Sequence, residues 1–117
     1  MGPGSMPEER RDARLISEFT QRETAAAQTL YLRYAPQVYG IGLRTLHDPD
    51  LAADLVQDTF IKLWRRGSQY LSTAVPLDDW VLAQTLGVAH GMSRQHAADH
   101  RGDLIARGRT DASSVQA

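Results

Sequence analysis

Apolar residues recur along this chain at steps of three and four, and nowhere alternate with polar ones at the period of two that a half-buried strand needs. Ala, Leu, Arg, Gln and Glu dominate, the residues that lose least on entering a helix. The pattern predicts four helices. The first covers about Glu8 to Phe19, with Leu15, Ile16 and Phe19 as its apolar stripe. The second runs from near Thr24 to about Leu46, with Leu30, Tyr34, Val38, Ile41 and Thr45 in register. Pro36 lies inside it and predicts a kink or short break around Ala35.

The sharpest boundary is His47-Asp48-Pro49-Asp50. Asp48 can cap a new helix with its carboxylate, Pro49 suits the first helical position, and Asp50 complements the positive end of the dipole. The third helix is expected from Pro49 to about Arg66, with Gly67 ending it. Leu51, Leu55, Thr59 with Phe60, and Leu63 fall on one face; Asp54, Gln57, Asp58, Ile61 and Arg65 fall on the other. A polar loop, Ser68 to Pro76, leads to a fourth helix from near Leu77 to about Ala98. Val81, Thr85, Val88 and Met92 follow the helical period there, and Trp80, Leu82, Leu86 and Ala89 broaden the stripe. Four amphipathic helices with short connections predict an all-α fold, a small four-helix bundle.

The ends read differently. Residues 1–6, Met-Gly-Pro-Gly-Ser-Met, read as a protease-cleavage scar followed by a start methionine. Residues 7–107 read as one helical domain, and 108–117, poor in apolar side chains, as a flexible tail or the start of an interdomain linker. A length of 117 residues suits one domain. No apolar run approaches the ~18 residues of a membrane span, so membrane insertion is not expected. The absence of cysteine excludes disulfides and thiolate metal sites, and fits a reducing, cytoplasmic setting. A net charge of −1 argues against nucleic-acid binding by bulk electrostatics.

Signatures of catalysis are missing: no glycine-rich phosphate loop, no G-x-S-x-G and no cysteine nucleophile. The chain reads as no enzyme and as needing no cofactor. Asp54 and Asp58 share a helix face at a spacing that could serve metal or acid–base chemistry, but such pairs are more often a solvated or partner-facing surface. His96 and His100, with His90, Asp99 and Asp103 nearby, could share a metal; a solvated late-helix face is the simpler reading. Trp80 heads an apolar stripe and is expected in the core. Trp64 lies among Lys62, Arg65, Arg66 and Tyr70, a mixture of cations and rings that suits single-stranded nucleic acid as well as a core edge.

The stretch from Leu30 to Tyr39, the run Asp48 to Trp64 with Asp54-Leu55-Val56-Gln57-Asp58-Thr59-Phe60 at its centre, and then Trp80-Val81-Leu82 together resemble region 2 of the extracytoplasmic-function sigma factors. These are the small bacterial initiation factors that give RNA polymerase its promoter choice. The resemblance covers about Leu15 to Arg101. It implies that the third helix docks on the clamp helices of the polymerase β′ subunit through Asp54, Gln57 and Asp58, flanked by Leu51, Ile61 and Arg65. It implies contact with the promoter −10 element by Lys62, Trp64, Arg65, Arg66 and Tyr70, continued on the fourth helix by His90 and Arg94, with Ser68 to Asp79 capturing a flipped base. Core RNA polymerase, promoter DNA and an anti-sigma factor are the partners it implies.

The fourth helix departs from the family pattern. Leu86 and Gly87 stand where Arg and Asn are usual, Gly91 where Asp is common, and the basic cluster that follows is thin. Nothing resembles region 4, the family's second DNA-binding domain. The degenerate fourth helix and the net charge of −1 motivate a second reading beside the first: a sigma mimic that binds an anti-sigma factor or other regulator without specific DNA recognition. A metal-dependent helical enzyme built on His96 and His100 is a distant third.

Overall fold

The structure, a computed structural model, describes residues 7–116, the side chains of 100 and 103–116 excepted. The cleavage scar read at 1–6 lies outside the described residues. Four helices account for nearly all of it: α1 (Glu8–Thr20), α2 (Thr24–Leu46), α3 (Pro49–Leu71) and α4 (Leu77–Gln116). The all-α bundle expected from the pattern is the fold, and α3 packs against each of the other three helices.

The ends of the helices follow local chemistry. The Asp48 carboxylate accepts the N–H groups of Asp50 (2.8 Å) and Leu51 (3.2 Å), with Pro49 in the first turn, as the sequence predicts. Helix α1 ends in a Schellman turn: Arg22 sits in the left-handed region at φ 64°, its N–H bonds the Phe19 carbonyl, and the Glu23 N–H bonds the Glu18 carbonyl. Helix α2 ends on His47, also left-handed at φ 55°.

One end of the core gathers Ile16 and Phe19 from α1, Leu30 and Tyr34 from α2, Leu63 and Tyr70 from α3, and Leu77, Trp80 and Val81 from α4. The other gathers Ala35, Val38 and Ile41 of α2 with Leu55 and Val56 of α3 and Ala89 of α4, and Phe60 packs against both. Trp80 is thus a core residue, as expected. Leu82, Leu86 and Thr45, expected in the buried stripes, are exposed, because the inward arcs of their helices are narrower than the runs of apolar letters.

Three boundaries differ from expectation. Helix α2 continues through Pro36 without a break. The missing N–H costs one hydrogen bond on the exposed side, while buried Leu30, Tyr34, Val38 and Ile41 hold both halves in one rod. Helix α3 does not stop at Gly67 but runs to Leu71, so the connection shrinks to Ser72–Pro76. Gly67 is buried where α3 meets α1, and a Cβ there would collide with Thr20 Cγ2. The glycine is a point of close approach and not a stop. Helix α4, in turn, extends past Ala98 to Gln116. That segment has no proline, and Ala, Arg, Leu and Gln keep its helix propensity up despite Gly102 and Gly108. From Ser93 onward every described side chain is exposed, and the helix leaves the core behind.

Candidate functional site

Helix α3 divides its residues cleanly. Ala52, Leu55, Val56, Thr59, Leu63, Gly67 and Tyr70 are buried, which takes up its inward arc. Asp54, Gln57, Asp58, Ile61 and Arg65 are all exposed, as the spacing predicts, and Leu51 is half-buried at the margin. With Asp50, the acids repeat at every fourth residue, so Asp50, Asp54 and Asp58 stand in one row. Neither Asp54, Asp58 nor Arg65 joins an ion pair among the described residues.

Beside this row lies a feature that sequence reading missed, an open apolar groove of about 930 Å³ between α2 and α3. Tyr31, Leu32, Pro36 and Tyr39 form its α2 wall, and Phe60, Ile61 and Trp64 its α3 wall. Leu32 is 77% exposed and Tyr31 51%. The signal was present in Leu30-Tyr31-Leu32: three consecutive apolar residues on a helix cannot all turn inward. Gln57 and Ile61 belong both to the groove and to the exposed face that carries the acidic row, so the two form one continuous surface with apolar and charged parts.

The far end of α3 is cationic. Lys62, Arg65 and Arg66 line a shallow hollow with Asp58 and Ile61. Trp64 is 37% exposed, and the Arg22 guanidinium lies over its ring at 5.1 Å. On α4, His90 and Arg94 are exposed, three and seven residues beyond Gly87, and so share its face. Tyr70 is different. It is buried, with its ring packed against Trp80 at a centroid separation of 5.0 Å, because the stripe Thr59, Leu63, Gly67 continues to it once α3 is longer than expected. Its ring is not offered to a base, which corrects its place in the nucleic-acid set. The segment expected to capture a base, Ser68 to Asp79, is likewise mostly helix, and only Ser72–Pro76 is free of it. His96 is exposed, the side chains of His100 and Asp103 lie outside the described residues, and no group of three potential metal ligands forms among the described ones.

A polar network ties three helices together next to that connection. The Arg33 guanidinium on α2 donates to Asp12 on α1 (3.1 Å) and to Asp78 on α4 (3.2 Å), and the Tyr34 hydroxyl donates to Asp78. Pairings 21 and 45 residues apart carry no local sequence signal. Burial, then the hydrogen bond to Asp78, push the Tyr34 phenol well above the usual tyrosine range. Its folded value thus exceeds the unfolded value near 10, so this contribution is complete below about pH 10 and is lost as pH rises beyond it. Tyr34→Phe should lower stability by about 1 kcal/mol at neutral pH and make the alkaline decline shallower than in the wild type. Urea midpoints measured between about pH 8 and 11 would show this; parallel alkaline limbs would contradict it.

No helix among the described residues is long and apolar enough to cross a membrane. A family model described as sigma-70 region 2 matches residues 30–98, which include all of α3 and the bundled part of α4. Similar proteins include an ECF RNA polymerase sigma factor SigK of Mycobacterium sp. (strain KMS), 31% identical over 68 residues, which cover 58% of this chain and 35% of that protein. Another is the ECF RNA polymerase sigma factor SigK of Mycolicibacterium vanbaalenii, 28% identical over the same length and the same shares. The match therefore spans about a third of the length of these relatives. No solved structure matches the chain.

Proposed function

Because the chain belongs to the sigma-70 region 2 family, we propose that it serves transcription initiation as the region 2 domain of an ECF-type sigma factor. In this reading the outward face of α3 docks on the clamp helices of the polymerase β′ subunit. Asp54, Gln57 and Asp58 supply polar specificity, and Leu51, Ile61 and Arg65 flank them. The observation that carries the reading is that α3 folds the bundle with one face and leaves the other charged, exposed and without ion pairs among the described residues. A row of charges beside an apolar groove has the makeup of a protein interface, where apolar area supplies affinity and charge supplies register and on-rate.

The cationic end carries the second half of the proposal. Lys62, Arg65 and Arg66, with exposed Trp64 and with His90 and Arg94 on α4, suit an unwound −10 strand, charge following phosphate and a ring available for stacking. An anti-sigma factor that covers the α3 face would hold the domain inactive. The family is one of initiation factors and not of catalysts. The mimic reading draws on the bare backbone of α4 at Gly87 and Gly91 and on the net charge of −1.

Calorimetric titration of the chain with a β′ fragment carrying the clamp helices tests the docking. A saturable one-to-one complex is expected. Absence of binding with both proteins folded would overturn the docking.

A further inference from the structure

The missing side chain at position 87 of α4 has a consequence on α3. A Cβ at Gly87 would lie 3.1 Å from the Lys62 ammonium nitrogen, closer than an ordinary contact, so the ammonium lies directly against the bare backbone of α4 and would have to give way to a side chain there. Lys62 is half-buried and forms no ion pair among the described residues, although Asp58 precedes it by one turn. At Gly91, one turn further along α4, nothing lies within 4 Å of a Cβ position, so the close approach at Gly87 is specific to that turn.

We propose that Gly87 and Lys62 act as one unit: the glycine lets the lysine of α3 lie across α4, where its ammonium joins His90 and Arg94 to hold the phosphate backbone of single-stranded DNA. This rests on the DNA-binding half of the function proposed above and specifies how α4 takes part. The position that lacks a side chain of its own is filled from the neighbouring helix with a cation. An ammonium laid along a helix flank meets the sugar–phosphate backbone without reading bases, so the unit contributes affinity and register more than sequence choice. Burying its stem also orders a side chain that would otherwise lose much rotamer freedom on binding.

The test compares Lys62→Met, Gly87→Leu, Gly87→Ala and the double variant Lys62→Met/Gly87→Leu with the wild type. Binding to a fluorescent mixed-sequence single-stranded oligonucleotide is measured over a salt series. Lys62→Met should bind several-fold more weakly, with the slope of log K against log salt shallower by about 0.7, the signature of one fewer phosphate neutralised on a single strand. Gly87→Leu should reproduce that shallower slope although it removes no charge. The double variant should be no weaker than either single one. Gly87→Ala, which moves only the flexible tip of the lysine, should fall between Gly87→Leu and the wild type. Thermal melts check folding, and none of the glycine variants should melt lower, since Gly87 is exposed and glycine is a poor helix former. A Gly87→Leu variant with the wild-type slope overturns the coupling, as does a Lys62→Met variant with the wild-type affinity. A wild-type chain that fails to bind the oligonucleotide at low salt overturns the DNA-binding reading itself, a different result from either.

Discussion

Gly42→Leu is expected to cost about 3 kcal/mol or more and to lower the melting temperature by roughly 12–24 °C. Gly42 is buried where α2 crosses α3, and a Cβ there would lie 2.8 Å from Ala52 Cα, 2.9 Å from Ala52 Cβ and 3.2 Å from Leu55 Cδ2. The nearest atom is backbone, so no rotamer change relieves the clash and the helices themselves must separate. That separation would open the core end formed by Val38, Ile41, Leu55 and Val56 and tilt the exposed face of α3. Even Gly42→Ala should be destabilising by about 2 kcal/mol, against the gain of about 1 kcal/mol that alanine brings to an open helix position. Adding Ala52→Gly should recover part of the loss, since it removes one of the two close Ala52 atoms. Chemical denaturation of the three variants reads this out; a Gly42→Leu variant as stable as the wild type would mean that the helices do not meet there.

Asp54→Lys is expected to have the largest functional effect. Asp54 is exposed and has no ion-pair partner among the described residues, so the substitution should leave stability within about 0.5 kcal/mol. Affinity for the β′ clamp-helix fragment should nevertheless fall by about 100-fold or more, because a reversed charge inside an interface both loses its pairing and leaves a like charge opposed. Asp58→Lys, one turn along the same row, should behave alike. Calorimetric titration beside thermal melts separates the two quantities. An unchanged affinity would move the interface off this row; a lost fold would show that the carboxylate is structural.

Much of this was legible because α3 repeats one strong pattern. Inward Leu55, Thr59 and Leu63 against outward Asp54, Gln57, Asp58 and Ile61 can be written down from spacing alone, and the cap at Asp48 is a local chemical fact. What was not legible depended on partners distant in sequence. Gly67 looks the same as a helix stop and as a contact point, and only the approach of Thr20 decides between them. Once the stop is removed, Tyr70 moves from a surface loop to the core, so one ambiguous glycine displaced one candidate DNA contact. The Asp12–Arg33–Asp78 network and the groove between α2 and α3 are likewise products of tertiary packing.

Net charge is the clearest case of a sum that hides its parts. A total of −1 comes from a chain whose α3 presents Asp50, Asp54 and Asp58 along one stretch and Lys62, Arg65 and Arg66 along the next. Opposite charges thus sit on successive stretches of one helix, where the proposed protein and nucleic-acid contacts fall, and the whole-chain figure speaks to neither.

The most direct measurement replaces Gln57, beside Asp54 and Asp58 on the exposed face of α3, with the photo-reactive residue p-benzoyl-phenylalanine and irradiates the chain with core RNA polymerase. The same replacement at Gln95, on the part of α4 beyond the core, serves as reference. Docking through α3 requires a crosslink from position 57 to the clamp-helix segment of β′ that an excess of unlabelled chain suppresses. A position-57 crosslink to another subunit, or none above the level at position 95, would contradict it.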